Sequence, residues 1–186
     1  VKIKLRHICV FSIQKLMKSK ENLVLLGMMG SGKSSIGSII SKKLNIDFID
    51  VDQEIEKKIG MSISRIFENK GEKYFREIEE IITLKLLKKN KTLISLGGGS
   101  FLNNKINKEV LDNHISFWLK WDIKTLVNRI KNSKKRPVAF KASKNELTDL
   151  IKKRSIFYSK AMYKIDCENF TKNEIAKNIT RIYESH

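Results

Sequence analysis

Gly27-Met28-Met29-Gly30-Ser31-Gly32-Lys33-Ser34 has the spacing G-x-x-x-x-G-K-[ST], which sets a lysine and a hydroxyl behind a glycine-rich turn. Glycines let successive backbone N–H groups converge on anionic oxygens without side-chain clash. Lys33 supplies a charge for the outer phosphates, and the Ser34 hydroxyl suits a hard divalent cation. An apolar run, Leu23 to Leu26, precedes the turn, and the helix-compatible SSIGSIISKKL follows it. Strand, glycine turn and helix in that order define a phosphate-binding loop, with the positive helix end facing the same anion. The expected ligand is a nucleoside triphosphate, held by Gly30, Ser31, Gly32, Lys33, Ser34 and Ser35.

Two further stretches offer chemistry at strand ends, where parallel sheets place their ligands. Asp50-Val51-Asp52 closes a short apolar strand. Asp50 is suited to Mg²⁺ through water and Asp52 to a substrate hydroxyl, although an acidic helix N-terminus accounts for the same residues. Gly97-Gly98-Gly99 follows LISL, so either a ligand or a tight turn approaches the main chain there. No aspartate closes the Leu93–Leu96 stretch, which leaves metal coordination to Ser34 directly and to Asp50 through water.

Arginine is scarce, with seven in a chain of many lysines. Arg76, Arg129, Arg136 and Arg154 fall in segments able to border the site. A guanidinium clamps carboxylate or phosphate bidentately, which an ammonium cannot do; an isolated surface ion pair is the plainer reading of any one of them. Glu79, one helical turn beyond Arg76, is placed to orient it. Arg136 precedes the only proline, in a basic segment suited to a lid.

The elements that must carry these groups alternate between strand and helix, which predicts an α/β domain with a parallel sheet over 22–186. Predicted strands cover 23–26, 48–51, 92–96, 115–119 and 163–166. Helices are predicted over 33–44, 53–59, 62–68, 72–89, from Asp122 through Ile130, and from the capping boxes at Ser143/Glu146 and Thr171/Glu174. Residues 1–20 are basic and lack acids, and are expected to lie outside the fold, with Met17 offering a natural beginning. Cys9 and Cys167 fit neither a metal spacing nor a disulfide framework, which indicates a reducing compartment. The formal charge of +18 is carried by dispersed Lys pairs without interleaved aromatics, so a solvated surface is expected and nucleic acid is not. No stretch reaches transmembrane length.

GMMGSGKSSIG, FIDVDQEIE, ISRIFENKGEKYFREIEE, LGGGS, Arg129…Arg136-Pro137 and RSIFYSKAMY, in this order, resemble the shikimate kinase family across 22–186. The resemblance implies a three-layer α/β fold like nucleoside monophosphate kinases. It has a five-stranded parallel sheet, a helical substrate region at about 50–80 and a lid at about 131–142. It implies a monomeric cytoplasmic enzyme of aromatic amino-acid biosynthesis, phosphorylating the 3-hydroxyl of shikimate with ATP and Mg²⁺. By the same resemblance Asp52 meets the ring hydroxyls, and Arg76 and Arg154 grip the carboxylate. Gly97, Gly98 and Gly99 form the substrate-contacting glycine motif, and Phe67 and Phe75 line the pocket. Arg129 stacks on adenine and Arg136 spans substrate and phosphates, with Lys33, Asp52 and Arg136 as the catalytic groups. Ser35 stands where Thr is frequent, and Ser159-Lys160 replaces a commonly acidic pair.

Overall fold

A computed structural model describes residues 22–132 and 142–186. Its strands are β1 (Leu23–Leu26), β2 (Asp47–Asp50), β3 (Thr92–Ser95), β4 (Ile115–Lys120) and β5 (Tyr163–Asp166). All pair in parallel, in the order β2-β3-β1-β4-β5. The helices are α1 (Lys33–Leu44), α2 (Val51–Ile59), α3 (Ile63–Leu87), α4 (Asn104–Asn113), α5 (Ile123–Lys131), α6 (Lys144–Tyr158) and α7 (Lys172–Glu184). A single 3₁₀ turn covers Ser100–Leu102.

Both faces of the sheet are covered, which explains why β1 is apolar at every position rather than alternating. Side chains of a strand point to opposite faces in turn. Leu23 and Leu25 therefore pack with Leu93 and Phe117 against Ile36 and Ile40 of α1 and Ile175 and Ile179 of α7. Val24 and Leu26 face Ile82 of α3, Ile106 and Val110 of α4, Leu126 of α5 and Ile151 of α6. Each fully buried Leu or Ile contributes on the order of 1.5–3 kcal/mol relative to exposure. The result is three layers, helix–sheet–helix, as expected for an α/β kinase.

Register brings the functional ends together. Leu25 pairs with Ser95, and Asp50 pairs with Ser95 from the other side. The loops leaving β1, β2 and β3 consequently emerge along one edge of the sheet. The opposite edge is stitched by Asn22, whose side-chain amide donates to the Leu87 and Lys89 carbonyls and accepts from the Thr92 N–H.

Both predicted capping boxes form, at Ser143/Glu146 and at Thr171/Glu174. Three expectations need correction. Segments 62–68 and 72–89 join into α3, broken only at Gly71, whose φ of 80° and ψ of 170° no helix contains. Helix α4 was not expected; Asn103 caps it by accepting from the Lys105 and Ile106 N–H groups, and Ile106 and Val110 bury its apolar stripe. The strand 92–96 ends at Ser95, because Leu96 already turns toward the glycines. Among the described residues no helix is long and apolar enough to cross a membrane.

Candidate active site

The phosphate loop joins β1 to α1, and Gly32 caps α1 at φ 88°, a left-handed conformation that glycine tolerates best. Lys33 is buried, and its Nζ donates to the Gly27 and Met28 carbonyls at 2.8 and 3.2 Å. Ser31 is fully buried and its Oγ has no hydrogen-bond partner among the described residues. Ser34 and Ser35 are exposed at the start of the helix. A cavity of about 600 Å³ opens here, lined by Gly30, Gly32, Lys33, Ser34, Ser35 and both acids, Asp50 and Asp52.

Asp50 does two things at once. Its Oδ1 accepts from the Asp52 and Gln53 N–H groups and so caps α2, while its Oδ2 accepts from the Ser34 hydroxyl at 2.5 Å. The helix-capping reading of the acidic pair is thus present at Asp50, which keeps its second oxygen on the loop hydroxyl. Ser34, Asp50 and Asp52 present oxygen donors only, the set a hard divalent cation takes. Among the described residues no cluster of three or more His, Cys, Asp or Glu side chains is placed to hold a metal.

The glycine triplet after β3 is pressed from three sides. A Cβ at Gly97 would sit 2.6 Å from Asp52 Oδ1 and 2.7 Å from Glu79 Oε1. At Gly98 it would lie 3.4 Å from Arg154 Nη1 and 3.3 Å from the Met29 N–H nitrogen of the phosphate loop. At Gly99 it would lie 2.5 Å from Arg76 Nη1. The triplet does turn, with the Ser100 N–H donating to the Gly97 carbonyl at 3.1 Å, and its glycines also permit this close approach of side chains. Asp52, Arg76, Arg154 and the loop meet around one short piece of backbone.

Arg76 is held by two carboxylates. Nη1 donates to Glu79 Oε2 at 2.6 Å, and Nε and Nη2 donate to Glu72 Oε1 at 3.2 and 3.1 Å. Burial works against the guanidinium, but Glu79 and Glu72 outweigh it and raise its pKa above the ordinary value. Glu79 is only 3% exposed, and its other oxygen accepts from Ser100 Oγ at 2.6 Å. Arg154 sits differently. Its Nη1 donates to the Met28 thioether at 3.7 Å, its guanidinium also meets the Tyr158 hydroxyl, and its Nε is buried without a hydrogen-bond partner among the described residues. Burial pushes its pKa down; Tyr158 and Glu79 oppose that, and the nearby Arg76 charge adds to it. A half-buried cation with one unpaired N–H, beside a second cation, is an arrangement that an anion would complete.

Phe67 and Phe75 meet with ring centroids 4.7 Å apart, Phe75 in the core and Phe67 half-buried, and Arg76 lies 5.1 Å over the Phe75 ring. Arg129 lines the cavity, its guanidinium carbon 3.7 Å from the centre of the Trp121 ring. Arg136 and the lid segment lie outside the described residues, apart from the ends of the latter. Several residues at the site were not singled out from the sequence. Trp121, Phe170, Thr171 and Lys172 line the cavity. Tyr158, 2% exposed, donates its hydroxyl to the Gly98 carbonyl.

A glycine-rich phosphate loop between β1 and α1, in a five-stranded parallel sheet with acids and arginines at one edge, defines a P-loop kinase. A family model described as shikimate kinase matches residues 29–184. A shikimate kinase of Bartonella quintana is 36% identical over 185 residues, covering 97% of this chain and 88% of the relative. That aligned span reaches into the segment before Asn22. A solved shikimate kinase of Acinetobacter baumannii in complex with shikimate superposes with a TM-score of 0.84 at 28% identity, over 92% of this chain and 97% of the other. The enzyme from Aquifex aeolicus gives 0.79 at 36% identity, over 88% and 96%. This chain belongs to the shikimate kinase family.

Proposed function

We propose that this chain transfers the γ-phosphoryl group of ATP to the 3-hydroxyl of shikimate, giving shikimate 3-phosphate and ADP. One observation supports the choice of acceptor: two guanidinium groups, one of them with a buried Nε that has no hydrogen-bond partner among the described residues, converge on a glycine triplet that touches the phosphate loop. An acceptor bearing a carboxylate answers that arrangement. Arg76 and Arg154 bind the carboxylate, the glycine triplet lets the ring lie against backbone, and Asp52 receives a ring hydroxyl. Phe67 and Phe75 supply the apolar wall.

Phosphoryl transfer needs positioning and charge neutralisation more than covalent chemistry from the protein. On ATP binding, Lys33 Nζ leaves the Gly27 and Met28 carbonyls for phosphate oxygens. Loop N–H groups from Gly30 to Ser35 receive the β-phosphate, and Arg129 borders the nucleoside. Asp52 orients the attacking hydroxyl and stands ready to take its proton. Ser34 directly and Asp50 through water would hold Mg²⁺, which supplies charge neutralisation to the phosphates when bound. By the family resemblance Arg136 supplies a further positive charge. The reading assigns the enzyme to a monomer in the cytoplasm, with residues 1–20 outside the domain.

The test is ADP release measured with ATP alone, with shikimate, and with a nucleoside monophosphate. ADP release that requires shikimate, with a phosphate monoester at the 3-position by NMR, is expected. Release driven by the monophosphate instead would overturn the acceptor assignment.

A further inference from the structure

We propose that Trp121 is a positioning residue for the nucleotide, presenting Arg129 as a flat cationic shelf on which the base stacks. The inference rests on the ATP reading above and adds a residue to it. Indole Nε1 donates to the Ser31 carbonyl at 2.9 Å, tying the exit of β4 to the phosphate loop across 90 residues of sequence. That bond fixes the ring relative to the bound phosphates. The Arg129 guanidinium carbon lies 3.7 Å from the ring centre, in van der Waals contact. One face of the guanidinium is therefore covered by the indole.

The other face belongs to a side chain that is exposed and lines the cavity. Phe170, 54% exposed, lines the same cavity. Asp50 and Asp52 make the acceptor side of the loop acidic and polar, so the heterocycle of a bound nucleotide turns toward Arg129 and Phe170. A planar base stacks on a guanidinium as it does on an arene. The indole beneath supplies what a lone surface arginine lacks. A long, mobile side chain must be ordered at the moment of binding, and Trp121 has already ordered it. The contact reads the π face of the base, so it contributes nothing to a ligand that has phosphates and no base.

Trp121→Leu and Trp121→Phe separate this role from a structural one. Steady-state kinetics give KM for ATP and for shikimate, and inorganic tripolyphosphate serves as a competitive, baseless probe. In Trp121→Leu the KM for ATP rises about fivefold or more, while KM for shikimate and Ki for tripolyphosphate stay within about twofold. Trp121→Phe, which keeps an aromatic face and loses the bond to Ser31, falls between wild type and Trp121→Leu. Thermal melting checks that each variant is folded. Should Trp121→Leu not fold, a rise in the ATP KM of Trp121→Phe with tripolyphosphate unchanged carries the same conclusion. An unchanged ATP KM overturns the proposal. Equal losses for ATP and tripolyphosphate also overturn it, assigning Trp121 to the loop alone. Failure of the ATP reading is distinct: wild type would then release no ADP in the presence of shikimate.

Discussion

Arg76 and Glu79 stand one turn apart on α3 and join at 2.6 Å, with Glu79 almost fully buried. Because Glu79 also receives Ser100 Oγ, one carboxylate fixes both a guanidinium and the backbone that follows the glycine triplet. Only the Glu79 end of this pair is buried, with Arg76 34% exposed, so its loss costs more than that of a fully exposed pair and less than that of a fully buried one. Glu79→Ala is expected to raise KM for shikimate about tenfold or more and to leave KM for ATP within about twofold. It should also lower the melting temperature. Glu79→Gln, which retains an acceptor for Arg76, is expected to lose less. Kinetics with each substrate varied in turn, alongside a thermal melt, separate these outcomes.

Arg76→Ala is expected to remove useful shikimate affinity while nucleotide binding survives, since Arg76 is bonded to Glu72 and Glu79 and does not line the phosphate-loop cavity. Isothermal titration with a non-hydrolysable ATP analogue and then with shikimate measures both. Equal shikimate affinity in wild type and Arg76→Ala would remove that residue from the site.

Alanine at Gly97 and at Gly99 should behave differently. The added methyl at Gly99 meets only the end of Arg76, which must shift from its carboxylate partners, so the expected loss is chiefly in shikimate KM with a smaller loss of stability than at Gly97. At Gly97 it meets Asp52, Glu79 and Ser100 oxygens together, at 2.6, 2.7 and 2.9 Å. Glu79 and Ser100 are pinned to each other, and overpacking of this kind costs on the order of 1–3 kcal/mol. Denaturant titration of the two variants tests the contrast.

His114 gives the fold a defined acid sensitivity. It is buried, and its Nδ1 accepts from the Asn22 N–H at 3.2 Å. Burial holds its pKa below the ordinary 6.5, with Glu109 at 3.7 Å working the other way. The unfolded chain therefore binds more protons than the folded one between the two pKa values. The stabilisation is complete above pH 6.5 and is lost as pH falls through the folded value. Urea midpoints at a series of pH values should fall on acidification over that window. His114→Asn, which keeps an acceptor for Asn22, should flatten the slope by about one proton.

Cys167 is buried, its thiol pKa pushed up to about 12 mainly by that burial. With Cys9 replaced by Ser, the native protein should not react with an aromatic disulfide reagent at pH 8. Reaction should appear only with unfolding.

What the sequence disclosed was carried by neighbouring residues. The phosphate loop, the capping boxes at Ser143 and Thr171 and the α/β alternation each lie within a few consecutive positions. Resemblance to a family located Asp52, Arg76 and Arg154, and the structure brings them to the glycine triplet. What stayed hidden depends on contacts between distant residues. Trp121 meets Ser31 across 90 positions, and Tyr158 meets Gly98 across 60. Neither pairing leaves a local pattern. Helix α4 was missed for a different reason: its apolar stripe is only Ile106 and Val110, too thin to stand out beside Lys and Asn.

The central claim is that a pair of guanidinium groups reads a carboxylate at the edge of the phosphate loop. Titrating shikimate and its methyl ester into wild type and Arg154→Ala tests it most directly. In wild type the ester should bind at least about tenfold more weakly than the acid, and in Arg154→Ala the difference should largely collapse. Equal affinity of acid and ester for the wild-type chain would contradict the account.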